Sequence, residues 1–225
     1  MLWESLAPPW QACLEEAWMA DCAGSVPIGA VVTDALRNII GRGRNRIMDQ
    51  AASTAHPSQT GPRPSGLVFN HELAHAELNA LLSLRYSDDT DPHQWILYTT
   101  MEPCPLCLGA LYMSCLRELH YAARDPYAGS TNLLGATPYL SRKPIRFFGP
   151  VPDLETVSVV LVVESSMLQE SKERSQFVRD VWRKTIPLAV ALGERLFERQ
   201  VLRQLRTANA TAAEMVSQVT GAIEA

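Results

Sequence analysis

A chain of 225 residues suits one large domain, or one catalytic domain with a helical appendage. Its 47% hydrophobic content is ordinary, and a net charge of −4 argues against a polyanion as the main partner, since nucleic-acid binders usually carry a basic excess. No stretch approaches the length and purity of a membrane span, the acidic N-terminus with its Pro8-Pro9 pair is unlike a signal peptide, and five cysteines form no disulfide framework. These features predict a cytoplasmic protein.

Residues 9 to 23 read as a helix, with Trp10, Cys13, Leu14, Ala17 and Trp18 on one face. Two short apolar runs, Pro27 to Thr33 and Asn38 to Gly41, flank a turn near Asp34 and predict a β-hairpin. Residues 47 to 70, with three prolines and little periodicity, read as a loop insertion. A helix is expected from Glu72 to about Leu84, a strand over Trp95 to Thr100, a helix over Leu106 to Leu116, and a strand over Glu118 to Ala123. The run Val157 to Val163 predicts a fifth strand, and the remainder is expected to be helical with a break near Pro187. Strands alternating with helices predict an α/β sandwich on a mixed sheet. The domain division expected is a catalytic domain over 1–165 and a helical extension over 166–225, packed on the domain or on a partner subunit.

Two segments carry chemistry. His75-Ala-Glu77 opens one predicted helix, and Pro103-Cys-Pro-Leu-Cys107 opens the next, where exposed backbone donors and the helix dipole favour thiolate over thiol. One imidazole and two thiolates supply three ligands for a tetrahedral zinc, one too few for a structural staple and the right number for a reaction centre. His75, Cys104 and Cys107 are therefore the candidate ligands. Glu77 lies two residues beyond His75 and is the candidate proton carrier, able to take a proton from a water whose pKa zinc lowers to roughly 7.

The pairing of His-x-Glu with Pro-Cys-x-x-Cys resembles the cytidine deaminase superfamily, in particular the branch of tRNA-specific adenosine deaminases, guanine deaminases and fungal-type cytosine deaminases. The resemblance covers roughly residues 8 to 135, through Val26-Pro-Ile-Gly-Ala-Val31, Asn45, Ala74-His-Ala-Glu77, Leu97-Tyr-Thr-Thr-Met-Glu-Pro-Cys104 and Ala122-Ala-Arg-Asp-Pro126. It implies a three-layer α/β/α sandwich around a five-stranded mixed sheet, here with extra C-terminal helices. It also implies a Zn2+ cofactor, a homodimer, and substrate contacts at Asn45, Ala76 and Asp125.

Other readings compete for the same residues. His71-Glu-Leu-Ala-His75 spells the metalloprotease motif, but no third ligand follows in the expected extension and the two cysteines would be left without a purpose. A structural zinc knot would need Cys115 or His71 as a fourth ligand and would leave Glu77 idle. Arg195, Arg199, Arg203 and Arg206 interleave with Glu194 and Glu198, which predicts pairing on a solvated helix face. The long 47–70 insertion and the unmatched tail favour a small base or nucleoside substrate, with purine slightly preferred. The enzyme alternative is adenosine-to-inosine deamination in tRNA, disfavoured by the acidic charge, and the non-enzyme alternative is a zinc-stabilised interaction module.

Overall fold

The computed structural model describes residues 3–49, 67–87, 90–168 and 171–224, so residues 50–66 of the expected insertion lie outside the described residues. The chain enters through helix α1 (Pro8–Cys22), started by a Pro-Pro pair that costs no helical hydrogen bond at those positions. Strands β1 (Gly29–Thr33) and β2 (Ile39–Arg44) form the expected hairpin around Asp34, whose carboxylate accepts from the Leu36 and Asn38 amides at 2.9 and 2.8 Å. Helix α2 (Ala76–Leu82), strand β3 (Ile96–Met101), helix α3 (Pro105–Met113) and strand β4 (Glu118–Ala123) follow.

The sheet order is β2-β1-β3-β4, closed by a short edge strand β5 (Arg146–Phe148). β1 pairs antiparallel with β2 and β3, whereas β3, β4 and β5 run parallel. The sheet is therefore mixed, with five strands. Side chains alternate across it. Ala30, Val32, Leu97, Leu119 and Tyr121 pack with Ala76, Ala80 and Leu111 beneath α2 and α3. On the opposite face, Val31, Ile96 and Tyr98 pack against Ala12 and Cys13 of α1. Helix α4 (Pro152–Met167) completes that second layer, with Leu154, Val157, Val160 and Leu161 in one core cluster with Leu14, Trp18, Ala122 and Ala123. The result is a three-layer α/β/α sandwich.

Two expectations fail here. Val157 to Val163 is the middle of α4 and not a strand; the fifth strand is the three-residue Arg146–Phe148. The α4 helix is buried almost all round, including Ser158, Glu164 and Ser166, so its apolar run lacks the polar stripe that marks a surface helix. Pro152 at its start and Asp153 and Glu155 in its first turn were the available signals. The second failure concerns α2, which starts at Ala76 and not at Glu72: the preceding residues form a turn, with Ala74 N donating to His71 O at 2.9 Å and His75 N to Leu73 O at 2.8 Å, while Ala74 O accepts from Arg46 N at 2.8 Å.

The C-terminal helices are α5 (Lys172–Arg183), α6 (Pro187–Glu198), α7 (Val201–Thr207) and α8 (Ala212–Glu224), with Pro187 in the first turn of α6. Leu192, Leu196, Leu202, Met215 and Val219 share the core of α1 and α4, while Leu188 is 84% exposed. The arginine stripe is not one solvated face. A left-handed Gln200 separates α6 from α7, and Arg206 is drawn inward to Asp21 and Glu164 at 2.6 and 2.8 Å. Arg195 donates to Ala222 O at 2.5 Å, and Glu194 pairs with Arg179 and Arg183. Among the described residues no helix is long and apolar enough to cross a membrane.

Candidate active site

Two helix starts converge under the C-terminal end of β3. His75 caps α2, Cys104 caps α3, and Cys107 lies in the first turn of α3. The approach of α2 depends on glycine. A Cβ on Gly43 of β2 would lie 2.3 Å from Ala76 O and 2.2 Å from Ala80 N, so only glycine lets β2 press on the backbone of α2. Gly29 of β1 meets α1 in the same way, 2.1 Å from Cys13 O.

His75 Nδ1 lies 3.5 Å from the Sγ atoms of both Cys104 and Cys107, and one donor atom from each residue falls within 4.8 Å of the others. A tetrahedral zinc with bonds of about 2.1 Å to nitrogen and about 2.3 Å to sulfur places those donors roughly 3.6 Å apart. The side chains thus stand at the spacing of a zinc tetrahedron, and the donor set of one nitrogen and two sulfurs suits zinc. The Cys104 thiol is lowered to about 4 by a hydrogen bond from Cys107, with His75 adding to it. Cys107 is raised by that same bond and by burial, and His75 is raised by Cys104.

Glu77 is 3% exposed. Its Oε2 accepts from Cys107 Sγ at 3.3 Å and its Oε1 from Thr99 Oγ1 at 3.3 Å. Burial raises its carboxyl above the usual range. The group is thus fixed beside the three donors without being one of them.

The three expected substrate contacts lie on three different segments. Ala76 is fully buried at the start of α2. Asn45 is buried just beyond β2, its amide donating to Ile28 O at 2.9 Å. Asp125 follows β4 and accepts from the Tyr127 and Ala128 amides at 2.9 and 3.0 Å; burial raises its carboxyl, and Glu102 and Cys104 lie close enough to add to the rise.

Two residues escaped the sequence reading. Thr99 is the hydroxyl that orients Glu77, and strand alternation already put it on the α2 face with Leu97. Glu102 accepts from the Asp125 amide at 3.3 Å and from the Thr131 hydroxyl at 2.5 Å, tying the Asp125 loop to the segment that leads into Cys104. By contrast, His71 and Cys115 are exposed and stand outside the donor cluster, so His71 does not join His75 in a metalloprotease site and neither residue supplies a fourth ligand.

Comparison with known proteins agrees with this geometry. A family model described as the cytidine and deoxycytidylate deaminase zinc-binding region matches residues 8–123. The tRNA-specific adenosine deaminase of Haemophilus influenzae is 34% identical over 118 residues, which is 52% of this chain and 57% of that protein. Its Bacillus subtilis counterpart is 32% identical over 121 residues, 54% of this chain and 63% of that protein. The chain therefore spans less than two thirds of the length of these relatives. A solved structure of guanine deaminase from Nitrosomonas europaea superposes with a TM-score of 0.50 at 24% identity, covering 71% of this chain and 84% of that one, and shares the fold. A match over more than half the chain, on a three-layer sandwich that gathers His75, Cys104 and Cys107, settles the family: the chain belongs to the cytidine and deoxycytidylate deaminase family of zinc-binding proteins.

Proposed function

We propose that this chain is a hydrolytic deaminase of a free nucleobase or nucleoside, with purines slightly preferred. The observation that carries this reading is a buried carboxylate, Glu77, fixed 3.3 Å from Cys107 beside a three-donor set that leaves one tetrahedral position for a reactant. His75, Cys104 and Cys107 would hold the zinc, which supplies the Lewis acidity that makes water nucleophilic near neutral pH. Glu77 then does the proton work in two transfers: its carboxylate accepts one proton from the attacking water and passes it to the ring nitrogen, then takes the second proton from the hydroxyl now on the ring carbon and delivers it to the departing amine. A C–O bond forms, the C–N bond breaks, and ammonia leaves. Thr99 keeps Glu77 Oε1 aimed during both transfers.

Ala76 and Asn45 would wall and contact the base, and Asp125 would contact a flanking group. Net charge supports a small substrate, as do the arginines committed to carboxylates: Arg44 and Arg46 to Asp49, Arg124 to Glu155, and Arg206 to Asp21 and Glu164. Residues 1–165 would carry catalysis in a cytoplasmic homodimer, with 166–225 as the helical extension.

A second reading, adenosine deamination in tRNA, is favoured by the relatives from H. influenzae and B. subtilis. Ammonia release from a panel of bases, nucleosides and a tRNA anticodon stem-loop separates the two. Turnover of the stem-loop alone overturns the small-substrate reading; no turnover in zinc-replete protein favours the interaction module. A Glu77→Gln variant should keep its zinc and lose on the order of 10²–10⁴ in kcat. Loss of zinc in that variant would make Glu77 a ligand and refute its role.

A further inference from the structure

Asp49 is fully buried and holds two arginines at once. Arg44 grips it with both terminal nitrogens, at 2.9 and 2.8 Å, and Arg46 Nε reaches the same carboxylate at 2.8 Å. Ser25 Oγ adds a fourth contact at 3.1 Å. Burial works to raise the carboxyl of Asp49, but the hydrogen bonds and charges of Arg44 and Arg46 outweigh it and hold the group below its usual range. A buried ionic cluster of this kind gives a fold little stability that apolar side chains would not give. Its geometry is more telling than its energy: the two arginines flank Asn45.

The segment is fixed from its other sides as well. Asn79 Nδ2, on the helix that carries Glu77, donates to Arg44 O at 3.2 Å, and Arg46 N donates to Ala74 O, one residue before His75. Asn45 therefore has its backbone held on both sides while its Oδ1 accepts from Ile47 N at 3.2 Å. No acceptor among the described residues meets its Nδ2.

We propose that Asp49 is a positioning residue: its clamp on Arg44 and Arg46 presets Asn45 to receive the base or sugar, and so governs substrate affinity and not the chemical step. This inference rests on the proposed function of the site. The test measures kcat and KM on the best substrate of the panel, and the Kd of an unreactive purine analogue by calorimetry, for Asp49→Asn, Asn45→Ala and the double variant. Loss of a preset donor should raise KM and Kd by about tenfold, the size of one well-placed hydrogen bond, and leave kcat and zinc content unchanged. The double variant should be no worse than Asn45→Ala. A merely structural role predicts additive losses, or a fall in kcat with KM unchanged, and either result overturns the proposal. If Asp49→Asn does not fold, Arg46→Lys keeps the charge, removes the Nε donor and must give the same rise. Turnover reports on the proposed function; calorimetry reports on the positioning even where no panel member is turned over, and an unchanged Kd there overturns it.

Discussion

Replacing Arg206 with methionine tests how the C-terminal helices are held to the catalytic sandwich. The guanidinium lies between Asp21 of α1 and Glu164 of α4, with contacts of 2.6, 2.8 and 3.0 Å, and both carboxylate side chains are 1% exposed. Methionine keeps most of the volume and removes the only cation bonded to these two acids among the described residues. Stripping the partner from a buried charge costs about 3–5 kcal/mol, and two like charges are exposed to that loss here. The pH dependence gives the result its sign. With Arg206 in place, burial already pushes Asp21 up to about 6. The folded chain thus keeps a proton that the unfolded chain releases near its ordinary value of 3.8, so the contribution of Asp21 is full below that value and is lost as pH rises through about 6. Without the guanidinium Asp21 should hold its proton to still higher pH. The variant should then lose most at pH 7.5, and its deficit should shrink by up to about 1.4 kcal/mol per pH unit for each proton taken up on acidification to pH 5. Urea unfolding at pH 5, 6 and 7.5 reads this directly. Trp18 fluorescence adds a local signal, because its indole N–H donates to Ala210 O at 2.7 Å on the segment leading into α8. A deficit under about 1 kcal/mol, the behaviour of a solvated pair, or one that does not change with pH, would refute the buried-anchor account.

Gly43→Ala places a methyl 2.2 Å from Ala80 N and 2.3 Å from Ala76 O, backbone atoms that no rotamer change can clear. Thermal unfolding should show a loss at or above the roughly 1–3 kcal/mol of overpacking, together with reduced turnover because the helix that moves carries Glu77; a neutral substitution would show that β2 and α2 do not press together. Removing zinc with a chelator should lower Tm, and at free zinc a hundredfold above Kd the ion should contribute about 2.7 kcal/mol. Cys104→Ala should abolish both the bound metal and this shift, so a variant that keeps one equivalent of zinc would exclude Cys104 as a ligand.

The metal-donor cluster of His75, Cys104 and Cys107 was legible in the sequence because its signal is local. His75 and Glu77 are two residues apart and Cys104 and Cys107 three, and each pair falls at or just before the start of a helix, so no long-range contact had to be inferred. The hairpin was legible for the same reason, through Asp34 and its turn. What failed depends on surroundings. Seven apolar and small residues from Val157 to Val163 suit a central strand and a fully enclosed helix equally well, and only the layer of α6 and α8 packed on the far side of α4 decides between them. The arginines of the tail failed similarly: Arg206 looks like a surface residue until Asp21, 185 positions earlier, is brought beside it. Thr99 and Glu102 complete the pattern. Each bonds to a candidate site residue, Glu77 or Asp125, through the tertiary fold, at sequence separations of 22 and 23 residues. Motif spacing thus reports which side chains gather at the donor cluster, whereas the groups that hold those side chains in place are set by packing, and the proposed selection of one base over another is to be sought among the latter.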